Sequence, residues 1–289
     1  GQTGSGKTWT MTGDIDSETN QGITPRAMRQ LFAEVNELHE KGTAEIKVSS
    51  YFVELYNDQL VDLYFRLDHK SAKDKPPKLE IKLDAKKTVV IKNVIIKDAA
   101  NFEELNKLFE KGNKQRHVGA TRMNAGSSRS HSIFSILIES KDLNTGQKSL
   151  GKLTLVDLAG SERADKTGAT GDRLHEATSI NTSLSALGDV ISALCRNDKF
   201  IPYRNNKLTQ VMQDSLGGNA KTLMFVNISP AEYNASETMS SLEYASRVKQ
   251  IKNTATKTQE GEEVARLNDI IKRLRAGEEV TEDEIMKID

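Results

Sequence analysis

The sequence predicts an α/β fold in which a central, mostly parallel or mixed β-sheet is covered by helices on both faces. Strand-like and helix-like segments alternate along the chain, and such alternation is typical of sheets with helices packed on each side. The chain begins with a glycine-rich motif of the kind that joins a strand to a helix. Its length of 289 residues is enough to bury a sizeable core.

Composition and charge exclude several classes of protein. The 41 basic and 41 acidic residues cancel, which argues against a globally basic nucleic-acid binder. A single cysteine, Cys195, excludes a disulfide scaffold. No apolar run reaches the ~18 residues that a membrane span needs, and no signal peptide opens the chain. We therefore expect a soluble protein of the cytoplasm that binds no nucleic acid and has no membrane span.

Periodicity and local stop signals place the elements in order. Thr24 and Pro25 are expected to start the first helix, Asn101 to cap the second, and Asn234 with Glu237 to form a capping box for the last. Helices are predicted over residues 25–41, 102–112, 179–194 and 235–251. Strands are predicted over residues 46–56, 78–83, 89–96, 132–140, 152–156 and 222–228.

The first eight residues form a phosphate-binding motif, Gly1-Gln2-Thr3-Gly4-Ser5-Gly6-Lys7-Thr8. Glycines let backbone N–H groups turn toward phosphate oxygens, and the following helix N-terminus adds a partial positive charge. Lys7 is expected to reach the β- and γ-phosphates, and the Thr8 hydroxyl to bind Mg²⁺. Because such a loop follows a buried strand, we expect the chain to be a fragment whose first strands are missing and which is inactive alone.

Two later segments carry residue types suited to the same site. An apolar strand ends in Asp157, where a carboxylate holds Mg²⁺ through water, and Gly160 follows, where a backbone N–H meets the γ-phosphate. Glu162 lies within reach. Upstream, the segment Asn124-Ala125-Gly126-Ser127-Ser128-Arg129-Ser130-His131 embeds an arginine and a histidine among hydroxyls. Hydroxyls suit Mg²⁺ and water, and the arginine could pair with an acid such as Glu162.

These motifs, in this order and spacing, resemble the kinesin motor domain. Two further segments share the resemblance, the run of residues 203–209 (YRNNKLT) and the run of residues 214–219 (DSLGGN). The resemblance covers about residues 1–253 and implies a P-loop NTPase of the kinesin motor fold. Residues 254–289 are expected to form a polar linker, a short amphipathic helix and an acidic tail.

At the nucleotide site, the resemblance implies ATP and Mg²⁺ as ligands and gives each residue a role. Ser128 is expected to bind Mg²⁺ together with Thr8 and Asp157, the last through water. Ser127 would help to order the attacking water, and Gly160 would sense the γ-phosphate through its amide. Arg129 and Glu162 would form the ion pair that closes the site.

For partners, the resemblance implies microtubules, which the helix over residues 179–194 would contact. The implied contact residues are Lys166, Asn181, Tyr203, Arg204 and Lys207. Tubulin presents an acidic surface, which suits the cations among them. Two positions depart from the pattern of many kinesins, since Thr182 replaces a lysine and Gln210 an arginine. We expect microtubule binding to be weaker, or to depend less steeply on salt, than in relatives that keep both charges.

The tail leaves alternatives open. Val264, Leu267, Ile271 and Leu274 lie at helical spacing, too few to dimerise stably alone, so a dimer would need a coiled coil outside this chain. The helix over 262–275 either packs back on the motor or binds a partner such as calmodulin. The tail and residues 244–248 look most like C-terminal-motor kinesins of the kinesin-14 group, with the calmodulin-binding plant-type branch as the nearest match.

Three functions are compared on this basis. The first is an ATP-hydrolysing microtubule motor of the cytoskeleton, with the spindle among its locations. The second is a non-motile microtubule-binding or regulatory protein that has lost turnover, against which the intact Lys7, Thr8 and Arg129 argue. The third, a general P-loop kinase or GTPase, leaves the tubulin-facing segments without explanation.

Overall fold

The computed structural model describes residues 1–14, 17, 19–69, 75–85, 87–116, 128–162, 171–217, 220–251, 259–260, 270–271 and 273. The helices are α1 (Lys7–Met11), α2 (Ile23–Glu40), α3 (Leu63–Asp68), α4 (Phe102–Lys114), α5 (Asp172–Cys195), α6 (Lys207–Val211), α7 (Gln213–Leu216) and α8 (Ala235–Val248). The strands are β1 (Ala44–Tyr56), β2 (Gln59–Asp62), β3 (Glu80–Leu83), β4 (Val89–Lys92), β5 (Lys97–Asp98), β6 (His131–Asp142), β7 (Lys148–Asp157) and β8 (Gln259–Glu260).

The main sheet has the order β2-β1-β6-β7-β8, with β5 also paired to β1 and the β3–β4 hairpin separate. β1, β6 and β7 form its long centre. The register pairs Leu55 with His131 and Ser132 with Asp157. The end of β7 therefore lies beside the start of β6, so two of the predicted phosphate-site segments meet at one edge of the sheet.

Helices cover both faces of this sheet, as the alternation of elements predicts. On β1, Val48 and Phe52 pack with α2, α3 and α4, whereas Tyr51 and Val53 pack with α5 and α6. Side chains two residues apart on a strand point to the same face, which explains the division. The α/β class is confirmed.

The expectation of a mostly parallel sheet is wrong for the part of the chain that the structure describes. All six described strand pairings are antiparallel. β6 and β7 are joined by the short turn 143–147, and so short a connection permits only antiparallel pairing.

Residues 222–228, predicted to be a buried strand, form no strand in the structure. Leu223 is 77% exposed, and Phe225 and Ile228 are also exposed. The segment lies across an open groove of 2270 Å³ from β7. Without a neighbouring strand at hydrogen-bonding distance, its backbone pairs with no ladder, and its apolar side chains have no sheet face to cover.

Most other predicted elements are found, with shifted ends. Gly22, not Thr24, precedes α2, and Thr24 is buried in its first turn. Asn101 caps α4 through the Glu104 amide, as predicted. The capping box at α8 does not form: the Asn234 side chain makes no cap hydrogen bond, and its Nδ2 donates to the Ser229 hydroxyl. Among the described residues, no helix is both long and apolar enough to cross a membrane.

Candidate functional site

The phosphate loop has the backbone conformation that its glycines permit. Gly4 and Gly6 have φ values of 81° and 92°, in the left-handed region that residues with a Cβ rarely adopt. Gly6 is the N-cap of α1, which begins at Lys7. Because of this turn, Lys7 and Thr8 are the first residues of α1, and the helix begins beside the end of β7.

Long-range hydrogen bonds attach the loop to the end of β7 and the residues that follow. The Thr8 hydroxyl donates to Asp157 Oδ2 at 2.9 Å. The Ser161 amide donates to the Gly1 carbonyl at 3.2 Å. The Thr3 amide and hydroxyl both donate to the Glu162 carboxylate, at 2.7 and 2.5 Å. Residues about 150 positions apart thus form one polar site.

The segment before β6 joins the same site through its backbone. The Gly160 amide donates to the Ser128 carbonyl at 2.9 Å. The structure therefore brings together Thr8, Ser128, Asp157 and Gly160, which the sequence assigned to Mg²⁺ and the γ-phosphate. Ser127 lies outside the described residues.

Lys7 is held inside the loop near two acids. Its ammonium donates to the Gln2 carbonyl at 2.8 Å. Burial lowers the pKa of Lys7, and the charges of Glu162 and Asp157 oppose that shift. A cation kept close to carboxylates is well placed to exchange them for phosphate oxygens, because an anionic ligand provides the same stabilisation.

Asp157 has the character expected of a residue that holds a metal ion. It is 7% exposed, and its Oδ2 forms an ion pair at 3.1 Å with Arg116, which is 6% exposed. Its Oδ1 is buried and accepts no hydrogen bond from any described residue. Mg²⁺ prefers oxygen ligands and keeps several waters. A buried carboxylate oxygen without a donor, next to the Thr8 hydroxyl, fits a water ligand of Mg²⁺.

Arg129 does not form the ion pair that the sequence led us to expect. Its guanidinium pairs at 2.6 Å with Glu176 on α5 rather than with Glu162. The Tyr56 hydroxyl donates to the same Glu176 carboxylate. Glu162 is engaged by Thr3. Arginine and glutamate side chains are long and flexible, so the nearest stable partner depends on where the loops and α5 lie.

Arg116 and Glu176 are site residues that the sequence analysis missed. Arg116 follows α4 in a stretch with several other basic residues, so nothing in the pattern distinguishes it. Glu176 lies in the first turns of α5, which extends seven residues further toward the N-terminus than predicted. An acid three residues before the predicted helix was the only available signal.

The predicted microtubule-contact residues lie on neighbouring elements. Asn181 is on α5, Tyr203 and Arg204 are in a short 3₁₀ turn, and Lys207 begins α6. Arg204 is exposed, and Tyr203 is half-buried, which raises the pKa of its hydroxyl. The Lys207 ammonium donates to the Asp58 carbonyl at 2.5 Å. Lys166 lies outside the described residues.

Comparison with known protein families and sequences identifies relatives. The family model described as the kinesin motor domain matches residues 1–251. The chain is 50% identical over 290 residues to kinesin-like protein KIN-14I from Oryza sativa subsp. japonica. It is also 50% identical over 291 residues to kinesin-like protein KIN-14E from Arabidopsis thaliana. All of this chain but only 22% of each relative is aligned.

Solved structures agree with this result. A fast kinesin superposes with a TM-score of 0.78 at 40% identity, over 90% of this chain and 71% of that one. A KIF14 dimer with AMP-PNP in complex with a microtubule gives a TM-score of 0.81 at 34% identity, over 94% of this chain and 75% of that one. The chain belongs to the kinesin motor domain family.

Proposed function

We propose that residues 1–253 are the motor domain of a microtubule motor that binds and hydrolyses ATP. The observation that carries this proposal is the meeting of three separate segments at the end of β7. Thr8 contacts Asp157, Thr3 contacts Glu162, and Gly160 contacts Ser128. Phosphoryl transfer mainly requires positioning and charge stabilisation, and these segments provide both.

Each residue has a role in this proposal. The backbone N–H groups of Gly1 to Thr8 hold the phosphates, and Lys7 neutralises the charge on the β- and γ-phosphates. Ser127 orders the attacking water, and Gly160 binds the γ-phosphate through its amide. Thr8 and Ser128 would hold Mg²⁺ directly and Asp157 through water. When bound, the metal stabilises negative charge on the transferred phosphoryl group.

The observed contacts support an open arrangement of this site. For Arg129 and Glu162 to pair, Arg129 must leave Glu176, and Glu162 must leave the Thr3 amide. A phosphate at the loop competes with Glu162 for that amide, which frees the carboxylate to meet Arg129. Two loops that exchange partners when the γ-phosphate arrives or leaves would change the contacts of α5.

We place the microtubule-binding surface on α5 and the adjacent residues. Its proposed contacts are Lys166, Asn181, Tyr203, Arg204 and Lys207. The exposed Arg204 and the position of the 3₁₀ turn beside α5 support this surface. The likeness to the KIF14 structure, which is in complex with a microtubule, supports the partner. The protein would then act at the microtubule cytoskeleton, with the spindle as one location.

Most of the tail lies outside the described residues, so the proposal for it rests mainly on sequence; within it, β8 pairs with β7. Residues 254–289 are a linker, a short helix and an acidic end, and dimerisation uses a coiled coil elsewhere in the full-length protein. The likeness to KIN-14I and KIN-14E supports a kinesin-14 assignment. The helix over 262–275 packs on the motor or binds calmodulin. Titration of the full-length protein and a 262–275 deletion with Ca²⁺–calmodulin distinguishes the two.

Steady-state ATPase assays of the full-length protein, with and without microtubules, test the main proposal. We expect turnover to rise on adding microtubules, and surface-bound protein to move microtubules in a gliding assay. Binding to microtubules without stimulation of ATP turnover would favour the non-motile alternative. A protein that hydrolyses nucleotide but does not sediment with microtubules contradicts the proposal.

A further inference from the structure

The buried ring of His131 connects three elements of the proposed motor. His131 begins β6 and is 2% exposed. The Ala159 amide, between Asp157 and Gly160, lies 3.1 Å from its Nδ1. Its Nε2 lies 2.8 Å from the Ser183 hydroxyl on α5. That hydroxyl donates to the Ile180 carbonyl at 2.6 Å.

The direction of each hydrogen bond in this chain is fixed by chemistry. A backbone amide can only donate, so Nδ1 of His131 must be the acceptor. In a neutral ring the proton then lies on Nε2, which donates to the Ser183 oxygen. The Ser183 proton is left for the Ile180 carbonyl. Burial, with a smaller effect from the Arg116 charge, lowers the pKa of His131 to about 3, in agreement with a neutral ring.

The two ends of this chain lie in regions with different proposed tasks. Ala159 precedes Gly160, whose amide is the proposed γ-phosphate sensor. Ser183 follows Thr182, which is exposed on the proposed microtubule-binding surface. Arg129 and Glu176 form a second link between the same regions, but both are more exposed than His131. The imidazole link is therefore the more strongly constrained, since breaking it leaves buried polar atoms unpaired.

We propose that His131 is a positioning residue that couples the loop at Ala159 and Gly160 to α5 through Ser183. A rigid ring bonded at both nitrogens transmits a displacement of the loop to the helix, and in reverse transmits microtubule contact to the loop. The inference rests on the proposed function, because it assigns a route between the two sites that function requires.

Variants of the full-length protein that remove the hydrogen bond between His131 and Ser183 test this link. In His131→Asn the shorter side chain can still accept from Ala159 but cannot reach Ser183, and Ser183→Ala removes the other partner. We expect either change to lower the ratio of microtubule-stimulated to basal turnover about ten-fold, within the range of coupling between linked sites. The KM for ATP should change much less, because neither side chain reaches the phosphate loop.

A double-mutant cycle separates coupling from general damage. Because both changes break the same bond, the double variant should be no worse than either single variant. The matched control is Ser240→Ala, at an exposed serine of α8 whose hydroxyl also donates to a carbonyl of its own helix, and it should keep the wild-type ratio. Additive losses, an unchanged ratio in Ser183→Ala, or a parallel fall in every kinetic parameter and in Tm would each overturn the inference.

Hydrogen exchange measures the link without relying on turnover. In the wild type, exchange of α5 amides should differ between the Mg-ADP and Mg-AMP-PNP complexes, and Ser183→Ala should abolish that difference. The same difference in both proteins overturns the link while the proposed function stands. A wild type without stimulated turnover contradicts the proposed function, and the exchange data still decide whether the link exists.

Discussion

Polar side chains are buried in one region of the molecule and exposed in another. The first region is the proposed nucleotide site at the end of β7, called the nucleotide end below; the second is the proposed microtubule-binding surface on α5 and the adjacent 3₁₀ turn, called the α5 surface. At the nucleotide end, Asp157, Arg116 and His131 are buried and bond to partners far away in sequence. On the α5 surface, Thr182 and Arg204 are exposed. Lys207 there forms a surface contact with Asp58.

This difference teaches where single substitutions should matter. A buried polar group that loses its partner stays desolvated and unpaired, at a cost of about 1–3 kcal/mol or more for a charge. An exposed group exchanges its partner for water, and salt screens its charge. Effects should therefore decrease from the phosphate loop to the α5 surface.

The largest effect is expected at Lys7. Lys7→Ala removes the cation that the loop holds for the phosphates, so ATP turnover should fall about 10³-fold or more. Lys107→Ala, at an exposed lysine of α4, is the control and should keep wild-type turnover. Steady-state assays of the full-length protein measure both. Comparable turnover in Lys7→Ala and the control would contradict the proposed role of Lys7 and the expected sensitivity of the nucleotide end.

Arg116 provides the next test, on stability. Arg116→Met leaves the buried Asp157 carboxylate without its cationic partner, although the Thr8 hydroxyl still donates to it, and this should cost about 3–5 kcal/mol of unfolding free energy. Mg-ADP should restore part of the loss, since Mg²⁺ supplies the missing positive charge. Thermal or denaturant unfolding measures both effects. Lys41→Met, at the exposed Lys41–Glu37 pair, should produce no measurable change.

His131 predicts a dependence of stability on pH. Its pKa is lowered to about 3 in the folded protein, against about 6.5 when unfolded. Between these values the unfolded state binds more protons. The stabilising contribution of His131 to the free energy of unfolding is therefore complete above about pH 6.5. It is lost as the pH falls toward 3, by up to ~1.4 kcal/mol per pH unit.

Denaturant unfolding of the wild type and His131→Asn across this range isolates the contribution of the imidazole. The stability advantage of the wild type should shrink as the pH is lowered from about 7 to 5. An advantage that stays constant over these pH values contradicts the neutral buried ring.

The smallest effect is expected on the α5 surface. Thr182→Lys adds a positive charge to the proposed microtubule-binding surface, and affinity should rise about three- to five-fold with a steeper salt dependence. Thr145→Lys adds the same charge on the turn between β6 and β7 and should have no effect. Co-sedimentation across a salt series measures both, and unchanged affinity in Thr182→Lys argues against this surface.

Much of the site could be predicted from local sequence, because its chemistry resides in short motifs. The structure has the turn that the loop glycines predict and brings Thr8 onto Asp157 and Gly160 onto Ser128, while the roles of these residues toward nucleotide and Mg²⁺ stay predictions. The partner of Arg129 was not predictable. Its pairing with Glu176 rather than Glu162 depends on the positions of the loop and of α5.

The sequence by itself determined residue chemistry and periodicity, and thus the α/β class, the phosphate loop and the division of β1 between two faces. The tertiary structure decided which long-range partners meet. The contact of Arg116 with Asp157 and the position of the His131 ring between Ala159 and Ser183 are both of this kind. Periodicity is a local property of the chain. Pairing is a competition between distant groups, and its outcome depends on burial and geometry that exist only after folding.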